Sequence, residues 1–513
     1  MALDLLHEPL IQTDAGWHSL PGLLASMARG EVQVFPALRP HQRPAWHMFL
    51  VQLSVMALDA VGRRDLPQDE DSWRAALRAL TPGFPDDEPW HLIGQDRARP
   101  AFLQPADPGG LKWSDVATPD ALDMLITSRN HDMKREIARQ AAPQDWIFAL
   151  VSLQTMEGFG GAGNYGIARM NGGSSSRVLL GLAPARAGAT QIDPSAWWAR
   201  DVRRLLTSRK GIGGKTLLWV EPWPEGRSFE LSELDAMFIE VCRRVRLILA
   251  GERIRAERST TKAARIAAKD AKGNTGDPWA PLHITEGKSL TLGDQDWTHD
   301  LLVRLLFSEK GEWAKPRLAV EHADEASEPM LLVAEAFARG NSKTDGFKSR
   351  IVPVPKAMVR EMFGERPVAL ANGVMADIAS VDLALRNGLA TVAAGGAREK
   401  VAKPHYGRTQ PARAALRRQA DELFFPELWA RMEVTTDAGF TPLRRKFLET
   451  LAGIARDEFF RALPAMPCAS LMRPRAEARG RQALERRLHV AMANLGANPD
   501  ADLKHHEVTD AQA

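Results

Sequence analysis

The sequence predicts an α+β fold, in which a large mixed N-terminal domain with long loops is followed by a C-terminal four-helix bundle. Length is the first observation, because 513 residues exceed what one hydrophobic core usually serves. The second is that the N-terminal part mixes short strand-like runs with helices, whereas the rest keeps helical spacing almost throughout. We assign residues 1–360 to the α+β domain, 361–495 to the bundle and 496–513 to a disordered polar tail.

The N-terminal domain contains helix and strand signals separated by turn clusters. Residues 43–60 predict a strong helix with an apolar face, and residues 145–156 are typical of helix or mixed structure. Residues 177–182 predict a short strand, and residues 32–36 and 217–221 are further strand candidates. Clusters of Pro, Gly and Asp between these segments predict long loops.

The C-terminal region contains four amphipathic segments. Breaks at residues 395–396, 434–439 and 463–467 separate them. Four segments with one apolar face each predict a four-helix bundle. The apolar positions of the first segment are Val374, Ile378, Val381, Leu385 and Leu389.

Composition excludes several protein classes. Two cysteines far apart argue against a disulfide framework and a cysteine zinc cluster, and a net charge of +3 is only mildly basic. The sequence has no run of 18 apolar residues and no signal-peptide pattern, so we expect a cytoplasmic protein without a membrane partner. The thirteen histidines lack a metal-ligand spacing, and no nucleophile–base motif is present. We therefore predict no catalytic residue, metal or cofactor.

Residues 158–166 (GFGGAGNYG) form the stretch poorest in side chains, and NGGSSSR follows at residues 171–177. Gly161, Gly163 and Gly166 spell the dinucleotide fingerprint G-x-G-x-x-G. That fingerprint needs a preceding strand, a following helix and an acidic residue about 20 positions on. The flanks here predict the opposite elements, and the first acidic residue is Asp193. The segment therefore predicts either a flexible or tightly packed glycine turn or a backbone surface for nucleic acid, and a dinucleotide site is the weaker alternative.

Residues 210–216 (KGIGGKT) resemble a phosphate-binding P-loop. Arg209 occupies the position of the required first glycine, and a strand-like run follows instead of a helix. A nucleotide-dependent enzyme that uses this loop or GAGNYG remains the alternative function. A basic loop with accessible backbone N–H groups is the other interpretation.

Two basic stretches and one polar turn complete the pattern. Residues 251–273 carry seven Arg or Lys against three acidic residues, and residues 398–418 carry seven against one. Such runs are either solvated faces or contacts for a polyanion. Residues 338–347 (ARGNSKTDGF) predict an exposed turn or hairpin, which is either a connector or a polar prong.

These segments, in this order, resemble the CasA family, the large subunit of the type I-E CRISPR surveillance complex Cascade. The resemblance spans essentially the whole chain. It includes LDLLHEPLIQ, LRPHQRPAWHMFLVQL, ARPAFLQ, TSRNHDMK, the glycine loop with NGGSSSR, RGNSKTDGF and the terminal helices. It implies a non-catalytic subunit that reads the protospacer-adjacent motif (PAM) of double-stranded DNA from the minor groove. The implied partners are crRNA with the backbone, small and 5′-end-binding subunits, and a separate helicase–nuclease.

The resemblance also implies roles for particular residues. The glycine loop corresponds to Gly158, Gly160, Gly161 and Gly163, with Asn164 beside them. The tip of a strand-separating wedge corresponds to Asn341, Ser342 and Lys343. The loop that inserts into the complex corresponds to Asn130, His131 and Lys134. The family's lysine finger corresponds to Lys262, Lys269 or Lys272, of which we favour Lys269.

The chain departs from the family pattern at two places. Some relatives carry a cysteine cluster near the lysine finger, where this chain has an Ala/Arg/Lys-rich segment that predicts a helical insertion. Some relatives also carry a glutamine in the wedge, which is missing here, so strand separation would depend on Asn341 or Lys343.

Overall fold

The chain forms two compact units, as described by a computed structural model. The structure describes residues 3–123, 141–186, 190–209, 211, 213–307, 311–320, 329–340, 343–359, 365–397, 401–434, 436–493 and 495, with only the backbone of 339, 340, 343–345 and 437. Unit 1 comprises Met1–Trp297 and Gly311–Lys356, and unit 2 comprises Thr298–Lys310 and Ala357–Ala513. Unit 1 thus ends at Lys356, and the boundary predicted from the sequence is residue 360. Thr298–Lys310, which the sequence placed in the first domain, belongs to the second unit. The predicted tail lies outside the described residues.

Unit 1 is mixed helix and sheet, as the α+β prediction stated. Its described helices are α1 (Leu20–Ala28), α2 (Arg43–Ala60), α3 (Glu70–Arg78), α4 (Pro119–Leu122), α5 (Pro143–Met156) and α6 (Pro194–Thr207). Its described strands are β1 (Ile11–Thr13), β2 (Gly16–His18), β3 (Ser114–Val116), β4 (Leu179–Pro184), β5 (Lys215–Leu217), β6 (Leu234–Ile239), β7 (Arg244–Ala250), β8 (Arg253–Ser259), β9 (Leu282–His283), β10 (Lys288–Ser289), β11 (Trp313–Ala314), β12 (Met330–Gly340) and β13 (Lys343–Val354).

Helices α2 and α5 form the centre of the unit 1 core. Each has a proline in its first turn, where a missing N–H costs nothing, and α2 has the predicted bounds. The ring of Trp46 on α2 lies 5.0 Å from the ring of Phe148 on α5, edge to face. The amide of Gln52 donates to the carbonyls of Met237 and Phe238, so α2 also holds β6 in place.

The sheets of unit 1 are small and mostly antiparallel. Strands β13, β12 and β4 form one three-stranded sheet in that order, in which β12 and β13 make a long hairpin. Strands β3, β8 and β7 form another, and β10, β9 and β11 a third. Strand β8 of the β7–β8 hairpin lies within the basic stretch of residues 251–273, and the rest of that stretch follows Ser259.

Three sequence-based predictions of secondary structure are wrong in detail. Residues 32–36 form no strand, because the carboxylate of Asp14 accepts the N–H groups of Gln33 and Val34 that a strand partner would take. Strand β5 ends at Leu217, and a turn follows. The Ala/Arg/Lys-rich segment is not helical: residues 253–259 form β8 and residues 260–276 are irregular.

The buried side chain of Arg265 explains why residues 260–276 are irregular and not helical. Its guanidinium donates to the carbonyls of Leu218, Glu221 and Pro222, which anchors the segment to a neighbouring loop. Burial, with the neighbouring Arg244, lowers the pKa of Arg265 to about 9. The backbone here also pairs with Phe229, which donates to the carbonyl of Arg265 and accepts from the N–H of Ala267, so tertiary contacts override the helical propensity.

Unit 2 contains the predicted four long helices. They are α9 (Glu365–Ala393), α11 (Gln410–Glu433), α12 (Asp437–Ala462) and α13 (Arg473–Ala493); the shorter helices are α7 (His299–Leu306), α8 (Lys356–Val359) and α10 (Lys403–Gly407). The five apolar positions predicted for the first segment are all buried on α9. By length and composition α9 could cross a membrane, but 56% of its apolar window is buried inside the protein, as in a core helix.

Close contact and buried charge both hold the bundle together. An added Cβ at Gly480 on α13 would lie 2.8 Å from the carbonyl oxygen of Gly388 on α9, so glycines allow the two backbones to approach. Asp377 on α9 is buried and accepts from Arg431 on α11 and Arg444 on α12, each at 2.8 Å. Three of the four long helices therefore share one buried carboxylate.

Candidate nucleic-acid interface

The glycine-rich segment folds back on itself directly after α5. The N–H of Gly158 donates to the carbonyl of Ser175 (3.0 Å), and the N–H of Phe159 donates to the carbonyl of Gly173 (2.7 Å). Glu157 and Ser176 form an antiparallel bridge at its base. We call residues 157–177 the glycine hairpin.

Packing within unit 1 explains several of its glycines. A Cβ on Gly158 would lie 2.6 Å from the carbonyl oxygen of Gly173, and one on Gly166 would lie 2.6 Å from the carbonyl carbon of Gly158. Gly163 has φ +75°, and its added Cβ would be 2.6 Å from the Cβ of Thr260. Contacts within the hairpin and with Thr260 therefore account for these three glycines.

Gly161 and its neighbours form the outward part of the hairpin. A Cβ on Gly161 would meet no atom within 4 Å, yet φ is +114°, a conformation that L residues rarely adopt. The N–H of Gly160 donates to the carbonyl of Asn164, and the N–H of Asn164 donates to the carbonyl of Gly161, both at 2.9 Å. The turn at residues 160–164 is thus closed by its own backbone and leaves open space beside Gly161.

The basic stretch contacts the glycine hairpin at two places. The N–H of Thr261 donates to the carbonyl of Gly163, and the hydroxyl of Tyr165 donates to the carbonyl of Lys262 (3.2 Å). Further along, Gly273 packs on the second limb of the hairpin, where its added Cβ would lie 2.6 Å from the carbonyl carbon of Met170.

The three candidate finger lysines occupy different positions on this stretch. Lys262 lies directly beside the tip of the hairpin. Lys269 and Lys272 lie in the turn that precedes Gly273, and all three lysines are exposed. The structure therefore brings Lys262 next to the glycine loop and places Lys269 in the turn whose last residue, Gly273, packs on the second limb.

Buried charges fix the second limb of the hairpin. Arg177 is 1% exposed and donates to Asp277 through Nε at 2.5 Å and through Nη2 at 2.9 Å. Although burial alone raises the pKa of Asp277, the Arg177 charge and hydrogen bonds more than compensate, so the pKa is lowered. The last residue of NGGSSSR is therefore an anchor in the core.

Two further buried charged side chains, Glu240 and Arg169, hold the same limb of the hairpin. The N–H of Ala168 donates to one carboxylate oxygen of Glu240 (2.8 Å), and burial raises the pKa of that carboxyl. The guanidinium of Arg169 lies 3.9 Å from the ring centre of Phe238 and donates to the Phe238 carbonyl. Burial and the neighbouring Arg177 lower the pKa of Arg169 to about 10.

In the residues that the structure describes, which leave out Lys210 and Ile212, both enzyme-like glycine motifs differ from a nucleotide site. After Gly166 the chain continues irregularly, where a dinucleotide fingerprint needs a helix. In the P-loop-like segment the N–H of Gly213 already donates to Asp235 (2.9 Å), and Lys215 pairs with Glu221 (2.6 Å). A carboxylate thus occupies the place where a phosphate would have to bind, and strand β5 follows instead of a helix.

The remaining predicted site residues lie at or beyond the edge of the described chain. Strand β12 ends at Gly340 and β13 begins at Lys343, so the described backbone places Lys343 at the start of the returning strand. Asn341 and Ser342 lie outside the described residues. The same holds for Asn130, His131 and Lys134.

Sequence reasoning missed two residues of this interface. Phe159 is 46% exposed although it is apolar. Arg243 is buried and donates to the carbonyl of Gly158 (2.8 Å), so it supports the first limb of the hairpin. The only signal for Phe159 was a large apolar residue within a run of glycines, and nothing local to Arg243 indicated its contact.

Within the described chain, one group of side chains is close enough to hold a metal ion, formed by Asp4, His7 and Asp87. The guanidinium of Arg78 already donates to Asp87 through Nε, at 3.0 and 2.9 Å. A cation is therefore already present beside this group.

Solved structures with the same fold are known, although no protein-family profile and no curated protein sequence matches the chain. Cse1 from Acidimicrobium ferrooxidans is 17% identical with a TM-score of 0.62, over 96% of this chain and 99% of that one. CasA from Thermus thermophilus is 16% identical with a TM-score of 0.62, over 95% and 100%. A chain of a CRISPR RNA-guided surveillance complex, pre-nicking, is 14% identical with a TM-score of 0.50, over 96% and 99%. Along nearly its whole length, this chain therefore has the fold of the Cse1/CasA proteins.

Proposed function

We propose that this chain is the large, non-catalytic subunit of an RNA-guided CRISPR Cascade complex that recognises the PAM of double-stranded DNA. The observation that carries the proposal is the Cse1/CasA fold over nearly the whole of this chain and of the chains it resembles. In this role the protein works in the cytoplasm with crRNA and the backbone, small and 5′-end-binding subunits. A separate helicase–nuclease then acts on the DNA that the complex has opened.

The outward turn at residues 160–164 is suited to a DNA minor groove. The groove is about 6 Å wide, so a backbone without side chains can enter where a bulky residue cannot. Gly161 has open space on the side where a Cβ would lie, and the turn is held by its own hydrogen bonds. Readout from this groove separates A·T from G·C pairs and little more, so we expect several related motifs to be accepted.

Exposed lysines beside the hairpin supply the charge that a duplex needs. Lys262 lies next to the hairpin tip, and Lys269 lies in the turn that packs near the second limb. Each lysine that contacts a phosphate releases a counterion and makes binding dependent on salt. We propose Lys262 as the finger nearest to the glycine loop and Lys269 as a contact farther along the DNA.

The long β12–β13 hairpin supports the proposed wedge. Two paired strands of 11 and 12 residues give a stiff support for the link between Gly340 and Lys343. In this proposal Asn341, Ser342 and Lys343 enter beside the motif and begin strand separation. The unstacking would cost a few kcal/mol for each base step, offset by the new protein contacts.

A test compares two matched glycine variants in the reconstituted complex. Gly161→Val fills the open space of the glycine loop, and Gly211→Val is the control, because Gly211 also has open space and a similar φ of +103°. We expect Gly161→Val to weaken binding to a motif-bearing duplex while complex assembly with crRNA stays intact. Electrophoretic shift on a randomised motif library measures the affinity and shows which motifs are read.

Two results would contradict the proposal. Equal duplex affinities for the Gly161 and Gly211 variants and the parent would remove the glycine loop from DNA recognition. Micromolar binding of NAD or ATP by the purified chain, measured by calorimetry, would favour the nucleotide-dependent alternative.

A further inference from the structure

The side chain of Phe159 lies at an unusual place for a large apolar group. It is 46% exposed, on the first limb of the glycine hairpin. A single exposed apolar residue needs no explanation, since protein surfaces carry many. Here the backbone that carries it is held firmly, because the Phe159 N–H donates to Gly173 (2.7 Å) and the preceding carbonyl accepts from Arg243 (2.8 Å). The ring is therefore displayed on a rigid support.

A second aromatic ring and a cation accompany Phe159. The ring of Tyr165 lies 6.4 Å from the Phe159 ring, with an angle of 55° between the planes. The Tyr165 hydroxyl donates to the backbone of Lys262, which is exposed. An apolar ring, open space at Gly161 and the backbone of an exposed lysine thus lie together at the hairpin tip.

This combination matches one kind of ligand. Proteins that enter the minor groove frequently insert an apolar side chain between base steps, while lysines contact the flanking phosphates. Aromatic rings also stack on bases regardless of sequence, since every base has a flat π face. A protein partner would gain little from the lysines, whereas nucleic acid uses both the ring and the charge.

We propose that Phe159 is a DNA-contacting residue that inserts its ring against a base step of the duplex at the glycine loop. The inference rests on the proposed function, which it deepens by naming a second intercalating element besides the β12–β13 hairpin. Insertion unstacks one step next to the motif before the hairpin separates the strands. The ring of Tyr165 lies beside that of Phe159 and positions it, while the Tyr165 hydroxyl stays bonded to the carbonyl of Lys262.

The test uses the reconstituted complex and duplexes that carry 2-aminopurine at successive positions beside the motif. We compare Phe159→Ala and Phe159→Leu with Trp17→Ala, a control that removes another exposed aromatic residue of unit 1, 53% exposed. For Phe159→Ala we expect about 5- to 150-fold weaker binding, the loss typical of one stacked base. Leucine keeps apolar bulk without a π face, so Phe159→Leu should retain part of the affinity. Trp17→Ala should bind like the parent.

Two readouts separate insertion from a general loss of binding. Phe159→Ala should leave the slope of log affinity against log salt unchanged, because an apolar ring releases no counterions, whereas Lys262→Ala should reduce it by about one unit. The parent should raise 2-aminopurine fluorescence at one step, and Phe159→Ala should abolish that signal. Binding of Phe159→Ala within twofold of the parent, or an unchanged fluorescence signal, would overturn the insertion.

The three variants distinguish a failure of the Phe159 insertion from a failure of the proposed function. If Gly161→Val and Lys262→Ala weaken binding while Phe159→Ala does not, only the insertion fails. If none of the three variants changes duplex affinity, the proposed function of the hairpin fails. Hydrogen exchange of the hairpin amides in Phe159→Ala verifies that the fold of the loop is retained.

Discussion

The contacts of Gly158 predict a large local effect of a single methyl group. In Gly158→Ala the new Cβ would lie 2.6 Å from the carbonyl oxygen of Gly173 and still closer to that of Ser175. Both obstacles are backbone atoms, which cannot rotate away as a side chain would. The first limb of the glycine hairpin must therefore move away from the second.

That movement weakens the hydrogen bonds that the Gly158 and Phe159 N–H groups make, each worth about 1 kcal/mol. Overpacking costs about 1–3 kcal/mol when the structure cannot relax. We therefore expect the free energy of opening the hairpin to fall by about 2–4 kcal/mol. Amide exchange in the hairpin should become about 30- to 700-fold faster, because each 1.4 kcal/mol is a factor of ten.

Hydrogen exchange followed by mass spectrometry of peptides across residues 157–177 measures this opening. Gly160→Ala is the matched control, since its Cβ would approach side-chain atoms of Arg243 (3.2 Å) and Asn164 (3.4 Å), which need to give by only a few tenths of an ångström. We expect the control to change exchange less than about fivefold, as for a substitution that costs under 1 kcal/mol. Parent-like exchange in Gly158→Ala, or equal acceleration in both variants, would refute the steric argument.

Three further predictions concern buried ionisable groups. Asp277→Asn leaves Arg177 without its counter-charge, so thermal or denaturant unfolding should show a loss of about 3–5 kcal/mol, and a loss below 1 kcal/mol would contradict the ion pair. The raised pKa of Glu240 means that its stability contribution is full below the unfolded pKa and is lost as the pH rises through the folded pKa. Melting temperatures of Glu240→Gln should therefore gain on the parent as the pH rises above the ordinary glutamate pKa of 4.5, and a constant difference would argue against this assignment. Burial raises the pKa of Cys242 to about 11 while Cys468 is partly exposed, so one thiol should react with a disulfide reagent before unfolding and both afterwards.

Much of the fold follows from local patterns in the sequence. Helix α2 has the predicted bounds, and the apolar positions of α9 are buried, because a period of 3.6 residues depends only on neighbours along the chain. The failures are instructive for the same reason. Residues 32–36 lose their strand to the carboxylate of Asp14, and residues 260–276 lose their helix to the anchoring of Arg265. Neither the Asp14 carboxylate nor the carbonyl groups that Arg265 binds can be recognised as partners from the local pattern.

The sequence by itself determined that a run of glycines lies between a helix and a strand, and that a basic stretch occurs at residues 251–273. Only the tertiary structure decided what each glycine does: Gly158 is packed against Gly173, Gly163 against Thr260, and Gly161 has open space. The sequence shows only that a side chain is missing at each position. Why a side chain is missing there depends on atoms contributed by distant parts of the chain. The exposed ring of Phe159 lies near Tyr165, which bonds the backbone of Lys262, and this arrangement became visible only once those parts were brought together.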